Sequence, residues 1–328
     1  MHGHGHHHHG HGHAHLAPGE KSRVATLAAV ASVATALFLM LLKAGAAYAT
    51  GSVAMLGSLA DTSLDLLASG VLLYGVRLAA TPADSDHRFG HGKAEALAAL
   101  FQVALISLSA AAIGWRAAVR LTEDTPATDP ELGIGVSLVA MVATLGLLAF
   151  QRSVIRRTGS VAIRADHVHY QSDLLLNGAV ILALALETYA GLLGADPVLG
   201  ILIALWLAYG AFGASKFAID QLMDREWPEA ERQRFIDVAS RNPKLLGIHD
   251  FRTRRAGSRE FAQFHLVVDG DMTVAAAHDV VEDVEASLAK AFPGVEVLIH
   301  LDPEGHVDEP DNPLQEADVT PAWFGKRA

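Results

Sequence analysis

Six apolar segments, each close to the length of a membrane-spanning helix, dominate the first two thirds of the chain and restrict what it can fold into. They comprise residues 24–48, 52–78, 94–121, 132–150, 166–192 and 198–219. A bilayer core needs roughly 20 apolar residues per helix, and backbone inside it must satisfy its own hydrogen bonds. Because 51% of the 328 residues are hydrophobic and 19% are charged, the sequence predicts a membrane all-α bundle of six transmembrane helices.

Positive charges occupy alternate connections between these segments. Lys and Arg precede the first segment, and they also lie between the second and third and between the fourth and fifth. The connections at 122–131 and 193–197 contain neither. Since positively charged loops remain on the cytoplasmic side, this pattern predicts that both termini are cytoplasmic.

The sequence after residue 227 has a different pattern. It predicts a helix, a two-stranded hairpin, a second helix and a third strand, at residues 228–240, 247–255, 259–269, 274–292 and 295–300. The order αββαβ indicates a small cytoplasmic α+β domain. We therefore divide the chain into a His-rich disordered N-terminal tail (1–20), a transmembrane domain (21–223), a cytoplasmic C-terminal domain (224–303) and a disordered acidic tail (304–328).

The N-terminal tail begins with the Gly/His sequence MHGHGHHHHGHGHAH, which holds half of the 18 histidines in the chain. Such a low-complexity segment is typical of a disordered tail that collects metal ions. The alternative is an expression tag, which carries no information on the fold. The longest unbroken run is four histidines interleaved with Gly, which favours a natural tail.

Two pairs of polar residues interrupt the apolar segments at one spacing. Asp61 and Asp65 lie inside the second segment, and His169 and Asp173 lie inside the fifth. Residues four apart share a helix face, and ionisable groups in a bilayer usually mark an ion path. The four residues therefore predict an intramembrane metal site; the alternative is that they only make hydrogen bonds. Lys43, near the outer end of the first segment, is expected to extend to the membrane surface.

Two further groups of candidate ligands lie outside the apolar segments. Asp84, His87 and His91 fall within eight residues of one loop, where they can hold a metal ion or be merely solvated. The other group is spread over the C-terminal domain and comprises His249, His265, His278, His300 and Asp302. A lone histidine there would be structural, whereas several in one small domain, with Asp250 nearby, suggest a shared metal site.

The composition limits the metal and the class of partner. The chain contains no Cys, so metal ions must bind through His and carboxylate groups, which suit zinc, iron, cobalt, cadmium or manganese better than copper(I). A net charge of -11 argues against nucleic acid as a partner. The chain has neither an HExxH nor a GxSxG motif, which argues against an intramembrane protease and, more generally, an enzyme.

These motifs resemble those of the cation diffusion facilitator family, and within it the bacterial zinc and iron exporters. The resemblance covers residues 24–302 and rests on TGSVAMLGSLADTSLDLLAS, PADSDHRFGHGKAEALAAL, RADHVHYQSDLLLNGA, GIHDFRTRRAG and VLIHLDP. It implies a homodimer of six-helix protomers with a metallochaperone-like cytoplasmic domain, in the bacterial inner membrane. It also implies that the intramembrane group is the transport site, the loop group a second site, and the C-terminal group a binuclear metal site.

The function expected from this resemblance is proton-coupled antiport that exports Zn²⁺ from the cytoplasm by alternating access. Fe²⁺, Cd²⁺ and Co²⁺ suit the same donors, and Zn²⁺ at the cytoplasmic sites would be structural or regulatory. The expected partners are metal ions, protons, the lipid membrane and a second copy of the chain. The alternative is a membrane metal receptor or sensor that binds metal without transporting it.

Overall fold

Six long helices make up the N-terminal part of the protein. The computed structural model describes residues 18–50, 53–120, 133–190, 195–305 and 320–321. The long helices are α1 (Pro18–Thr50), α2 (Val53–Ala79), α3 (Ala94–Arg120), α4 (Gly133–Thr158), α5 (Val161–Ala190) and α6 (Ala195–Leu222). Residues 1–17 of the predicted N-terminal tail and most of the predicted acidic tail lie outside the described ranges, whereas residues 18–20 are helical rather than disordered.

Five of these helices are long and apolar enough to cross a membrane within the described residues. The five stretches are Gly19–Ala49, Ser58–Ala79, Ala94–Val119, Gly135–Thr158 and Pro197–Leu222. Helix α5 is 30 residues long, but its first half is polar, with Arg164, Asp166, His167, His169 and Asp173. The structure therefore supports a helical membrane region. By length and apolar composition, five of its described helices qualify as spans, whereas the sequence predicts six.

Small residues let the helices approach closely. Helix α1 packs on α2 and α4, and α3 packs on α6 and α5. The core between α3, α5 and α6 contains Ala99, Ala110, Ala211, Ala214 and Ala218, all nearly inaccessible to solvent. Large apolar side chains such as Leu67 and Trp115 lie on the outside instead, about 70% exposed (67% and 73%). This arrangement is typical of helices that pack through small residues and present apolar side chains to lipid.

A three-stranded sheet and two helices form the C-terminal part. Helix α7 (Glu229–Ala239) is followed by β1 (Gly247–Ala256), β2 (Arg259–Val268), α8 (Val274–Ala291) and β3 (Val295–Pro303). The strand order is β1-β2-β3, with β1 and β2 antiparallel and β2 and β3 parallel. A core around Phe235 joins the helices to the sheet, since its ring stacks on Phe251 at 5.2 Å. The predicted order of elements is confirmed.

The β1–β2 hairpin packs against the end of the helical region where α1 begins and α2 connects to α3. A side chain at Gly92 would place its Cβ 2.0 Å from the carbonyl oxygen of Ala256, so two backbones meet there. Gly257 has a φ of +61°, which favours glycine at this turn. The hydroxyl groups of Ser22 and Ser258 lie 2.8 Å apart. The turn thus contacts both the start of α1 and the α2–α3 connection.

We predict that Gly75→Ala lowers the melting temperature of the protein in detergent. The added Cβ would lie 2.4 Å from Cβ of Ala98, so α2 and α3 would have to separate, at a cost of about 1–3 kcal/mol. The matched control is Gly70→Ala in the same helix, because no atom lies within 4 Å of its added Cβ. Equal melting temperatures for the two variants would contradict the close approach of these helices.

Candidate metal sites

The intramembrane cluster joins α2 to α5. Nε2 of His169 lies 3.2 Å from Oδ1 of Asp65 and 3.8 Å from Oδ2 of Asp173. His169 and Asp173 share a face of α5 because they are four residues apart, and Asp65 is brought opposite them by the packing of α2 on α5. One ligand atom from each of the three residues lies within 4.8 Å of the others. These distances allow the three side chains to surround a single ion.

The imidazole of His169 is buried, with 7% of the residue exposed. Its Nε2 faces the two carboxylates, but it makes no hydrogen bond of good geometry with any described residue. A buried polar atom without a partner is costly unless something binds it. This nitrogen, which lies between the two carboxylates, is therefore available to bind a metal ion together with them.

Asp61 lines the same cavity but is not among the three clustered ligands. The cavity measures about 170 Å³ and is lined by residues that include Asp61, Asp65, Asp173, Asn177 and Lys43. Asp61 is more exposed than Asp65. It lies about one helical turn closer to the start of α2. Its predicted role as a fourth ligand stays a prediction.

A buried polar network fixes the helix that carries His169. Asp166, which is completely buried, accepts hydrogen bonds from Oγ of Ser32 (2.5 Å) and Nε2 of Gln151 (2.7 Å). The hydroxyl group of Tyr170 donates to the carbonyl oxygen of Ser32. These contacts tie α5 to α1 and α4, so the face of α5 with His169 has a fixed direction.

The loop cluster lies in the α2–α3 connection. Nδ1 of His87 and Nε2 of His91 each lie 3.3 Å from an oxygen of Asp84. The backbone N–H of His87 donates to Oδ1 of Asp84 at 2.6 Å, and this bond holds the pKa of the carboxyl below its usual value, against the opposing effect of desolvation. The loop therefore brings the three predicted residues together around an ionised carboxylate.

The C-terminal cluster is built by strand register. His249 on β1 pairs with His265 on β2, and His265 pairs in turn with His300 on β3. Their rings lie 4.9 and 4.6 Å apart across the sheet. Because side chains alternate along a strand, Asp302 lies on the same face as His300. The sheet thus sets three imidazoles in a row beside one carboxylate.

Asp302 is the centre of this cluster. It is 5% exposed, and its Oδ2 lies 2.7 Å from Nδ1 of His265 and 3.3 Å from Nε2 of His249. Its Oδ1 lies 3.4 Å from Nε2 of His300. The tight group of three ligands is His249, His265 and Asp302, with His300 at its exposed side.

His278 is not brought into this cluster within one chain. It lies on α8, where its Nε2 is 3.4 Å from Oε1 of Glu282 and its side chain is 68% exposed. Its place in a metal site stays a prediction.

Comparison with known proteins identifies the family. The model of the cation efflux transmembrane domain matches residues 29–223, and that of the cation efflux protein cytoplasmic domain matches residues 227–304. The chain belongs to the cation efflux family. It is 43% identical over 281 residues to the cation-efflux pump FieF of Salmonella arizonae, covering 86% of this chain and 93% of the relative.

A second full-length relative agrees with this membership. The cation-efflux pump FieF of Yersinia pestis is 46% identical over 276 residues, which is 84% of this chain and 92% of the relative. The metal-bound C-terminal domain of the CzcD transporter from Thermotoga maritima is 30% identical, with a TM-score of 0.23, and covers 24% of this chain and 95% of that one. As a member of the cation efflux family, the protein is a multi-pass membrane transporter rather than a member of an enzyme class.

Two residues at these sites adopt positions that the residue pattern does not predict. Lys43 was expected to extend to the membrane surface, but it lines the intramembrane cavity. Asp250 has a φ of +51° at a bulge in β1, and this turns its Oδ2 to 3.6 Å from Nε2 of His265. Neither the direction of a lysine nor a bulge has a signal in the residue pattern.

We predict that the Asp84 carboxyl titrates below the usual value for Asp, about 3.9, when followed by carboxyl ¹³C NMR. The backbone N–H of His87 stabilises the ionised form. Any stabilisation of the loop by this bond is therefore present at neutral pH and is lost as the pH falls through the lowered pKa. Asp84→Asn identifies the resonance by its disappearance. A midpoint at or above the usual value would contradict the hydrogen bond.

Proposed function

We propose that the protein exports divalent metal cations from the cytoplasm in exchange for protons, as a homodimer with alternating access in the bacterial inner membrane. Zn²⁺ is the favoured substrate, and Fe²⁺, Cd²⁺ and Co²⁺ are compatible with the same donors. The observation that carries this proposal is the convergence of Asp65, His169 and Asp173 from two long helices of a cation efflux family member.

The donor chemistry supports a borderline divalent cation as the substrate. Zinc accepts imidazole nitrogen and carboxylate oxygen in a four-coordinate arrangement. His169 and the carboxylates of Asp65 and Asp173 supply three such donors, and Asp61 on the same cavity supplies a fourth. A set of carboxylates alone would favour manganese, so His169 shifts the preference toward zinc, cadmium or iron.

We place α5 as a sixth membrane span, which makes both termini cytoplasmic. Asp166 and His169 face inward, since both are buried while Leu175 and Leu182 on the same helix are exposed. A helix with this distribution keeps its ionisable groups inside the bundle and its apolar groups toward lipid. An even number of spans also agrees with the distribution of Lys and Arg in the connections.

Proton coupling follows from competition for the same ligand atoms. A metal ion binds the deprotonated forms of carboxylate and imidazole groups, so protons that occupy these groups displace it. A site that opens alternately to the two sides of the membrane therefore releases metal on the side where protons are abundant. The protonated site then reopens to the other side.

The cytoplasmic cluster suits a resident Zn²⁺. Its donors are imidazole nitrogens and one buried carboxylate, and Nε2 of His249 and Nδ1 of His265 both lie close to the same oxygen of Asp302. His265, His249 and Asp302 would hold the ion, which would crosslink all three strands. His300 and His278 are both exposed and so can complete the site between two copies of the chain.

A metal receptor without transport is the second candidate. The observation in its favour is that two of the three clusters, in the loop and on the sheet, lie outside the membrane helices. A receptor function, however, does not explain why ionisable ligands would lie inside the bilayer, where they are costly. Flux separates the two functions.

We predict that Asp65→Ala abolishes pH-gradient-dependent Zn²⁺ uptake into proteoliposomes that contain a fluorescent zinc indicator. The variant removes the ligand that α2 contributes to the intramembrane cluster. Ser63→Ala is the matched control on the same helix, because among the described residues its hydroxyl group bonds the carbonyl oxygen of Leu59 on its own helix and none of the cluster ligands. Zn²⁺ binding by the wild type without flux at any gradient would support the receptor instead.

We predict that His265→Ala reduces the rise in melting temperature that Zn²⁺ produces in the wild type. A ligand that binds only the folded state stabilises it by mass action, and His265 contacts both the carboxylate of Asp302 and the ring of His249. The control is His167→Ala, at a histidine in none of the three clusters. An undiminished rise in His265→Ala would refute metal binding at this cluster.

A further inference from the structure

Lys43 is directed into the protein rather than toward the membrane surface. Its Nζ donates a hydrogen bond to Oγ1 of Thr62 at 2.7 Å. Thr62 is 2% exposed, and its own hydroxyl group donates to the carbonyl oxygen of Ser58. The hydroxyl oxygen is thereby oriented to accept from the lysine, which places the ammonium group between α1 and α2.

This ammonium group shares a cavity with the carboxylates of the transport site. Lys43, Asp61, Asp65 and Asp173 line the same space of about 170 Å³. Among the described residues that line it, Lys43 is the one Lys or Arg. Thr62, its hydrogen-bond partner, lies between Asp61 and Asp65 on α2. The positive charge is therefore placed near the ligand atoms without being one of them.

The charge of the site depends on this lysine. Three ionised aspartates and one divalent cation leave a single negative charge in a low-dielectric part of the bundle, where an uncompensated charge is costly. The ammonium group of Lys43 cancels it, so the loaded site becomes neutral. In the absence of metal, the same group offsets part of the mutual repulsion of the carboxylates.

We propose that Lys43 is a charge-compensating residue of the transport site, which weakens the binding of divalent cations and lets the loaded site pass through the closed bundle. This role rests on the proposed function. The role has two measurable consequences, because the lysine repels a bound cation and also neutralises the net charge of the loaded site. Its removal would therefore tighten binding while it slows transport.

The test compares Lys43→Met, which keeps the length of the side chain and removes its charge, with Lys43→Arg, which keeps the charge. Zn²⁺ binding is measured by titration calorimetry in detergent at pH 8, where protons compete least, and Asp65→Ala identifies the heat that belongs to the membrane site. We expect Lys43→Met to lower Kd by at least about tenfold, the effect of one nearby unit charge in partly buried protein. In proteoliposomes we expect it to lower both KM and the maximal rate.

Lys43→Arg should restore the Kd and most of the rate, because an arginine supplies the same charge. An unchanged Kd in folded Lys43→Met would overturn the inference, as would a Lys43→Arg variant as altered as Lys43→Met, since shape rather than charge would then decide. Thr62→Val provides a second variant that leaves the charge and removes only the hydrogen-bond partner; it should change Kd less than Lys43→Met does. Absence of flux in the wild type would refute the proposed function, while the binding comparison would still test Lys43.

Discussion

In the proposed transporter, ionisable groups inside the bilayer are the constraint on which the rest of the structure depends. Each charged aspartate at mid-membrane costs several kcal/mol or more in contact with lipid, roughly 2.5–3.5 on insertion scales. Asp65, Asp166 and Asp173 must therefore face inward, and the helices that carry them must be enclosed by others. The close packing of α3 on α6 through alanines and of α1 on α2 and α4 provides that enclosure. The polar half of α5 determines the arrangement of the bundle around it.

The proposed transport site is divided between a fixed helix and its neighbour. His169 and Asp173 both belong to α5, which the hydrogen bonds of Asp166 and Tyr170 tie to α1 and α4. Asp65 belongs to α2, which meets α5 at the site. A displacement of α2 along α5 would take the ligand set apart without breaking either helix. This division gives a physical basis for a site that binds metal in one arrangement and releases it in another.

The candidate metal sites of the loop and the sheet lie along a continuous path to these helices. Strands β1 and β2 carry His249 and His265 at one end, and at the other end their turn contacts Gly92 and Ser22. Gly92 directly follows His91 of the loop cluster. A stiffer sheet would therefore act on the start of α1 and on the α2–α3 connection together. The two clusters outside the membrane thus share one mechanical element, the β1–β2 hairpin.

The sequence predicts most of the elements but few of the contacts between them. Hydropathy located the long helices, yet α4 ends at Thr158 rather than at residue 150, because a helix continues beyond its apolar segment where charged residues also favour helix. Spacing showed that His169 and Asp173 share a face, whereas the approach of Asp65 depends on how α2 and α5 pack. The direction of Lys43 likewise depends on the rotation of α1 against α2.

Strand register and backbone irregularity lie further beyond the residue pattern. The row of His249, His265 and His300 arises from pairing between separate strands, and no local pattern fixes that register. The approach of Asp250 requires a positive φ, for which its neighbours give no signal. Asp166 appeared in the sequence as one more residue of a polar helix start. Its complete burial is a property of three packed helices.

The most direct test of this account is zinc K-edge X-ray absorption on Zn²⁺-loaded protein that lacks the His-rich residues 1–15 and carries Asp84→Ala and His265→Ala, so that of the candidate sites only the one between α2 and α5 keeps its full ligand set. The account predicts one bound zinc with a single imidazole, from His169, among oxygen donors, because the other nearby ligands are carboxylates. A spectrum with two or more imidazoles, or no retained zinc, would contradict a metal site between α2 and α5.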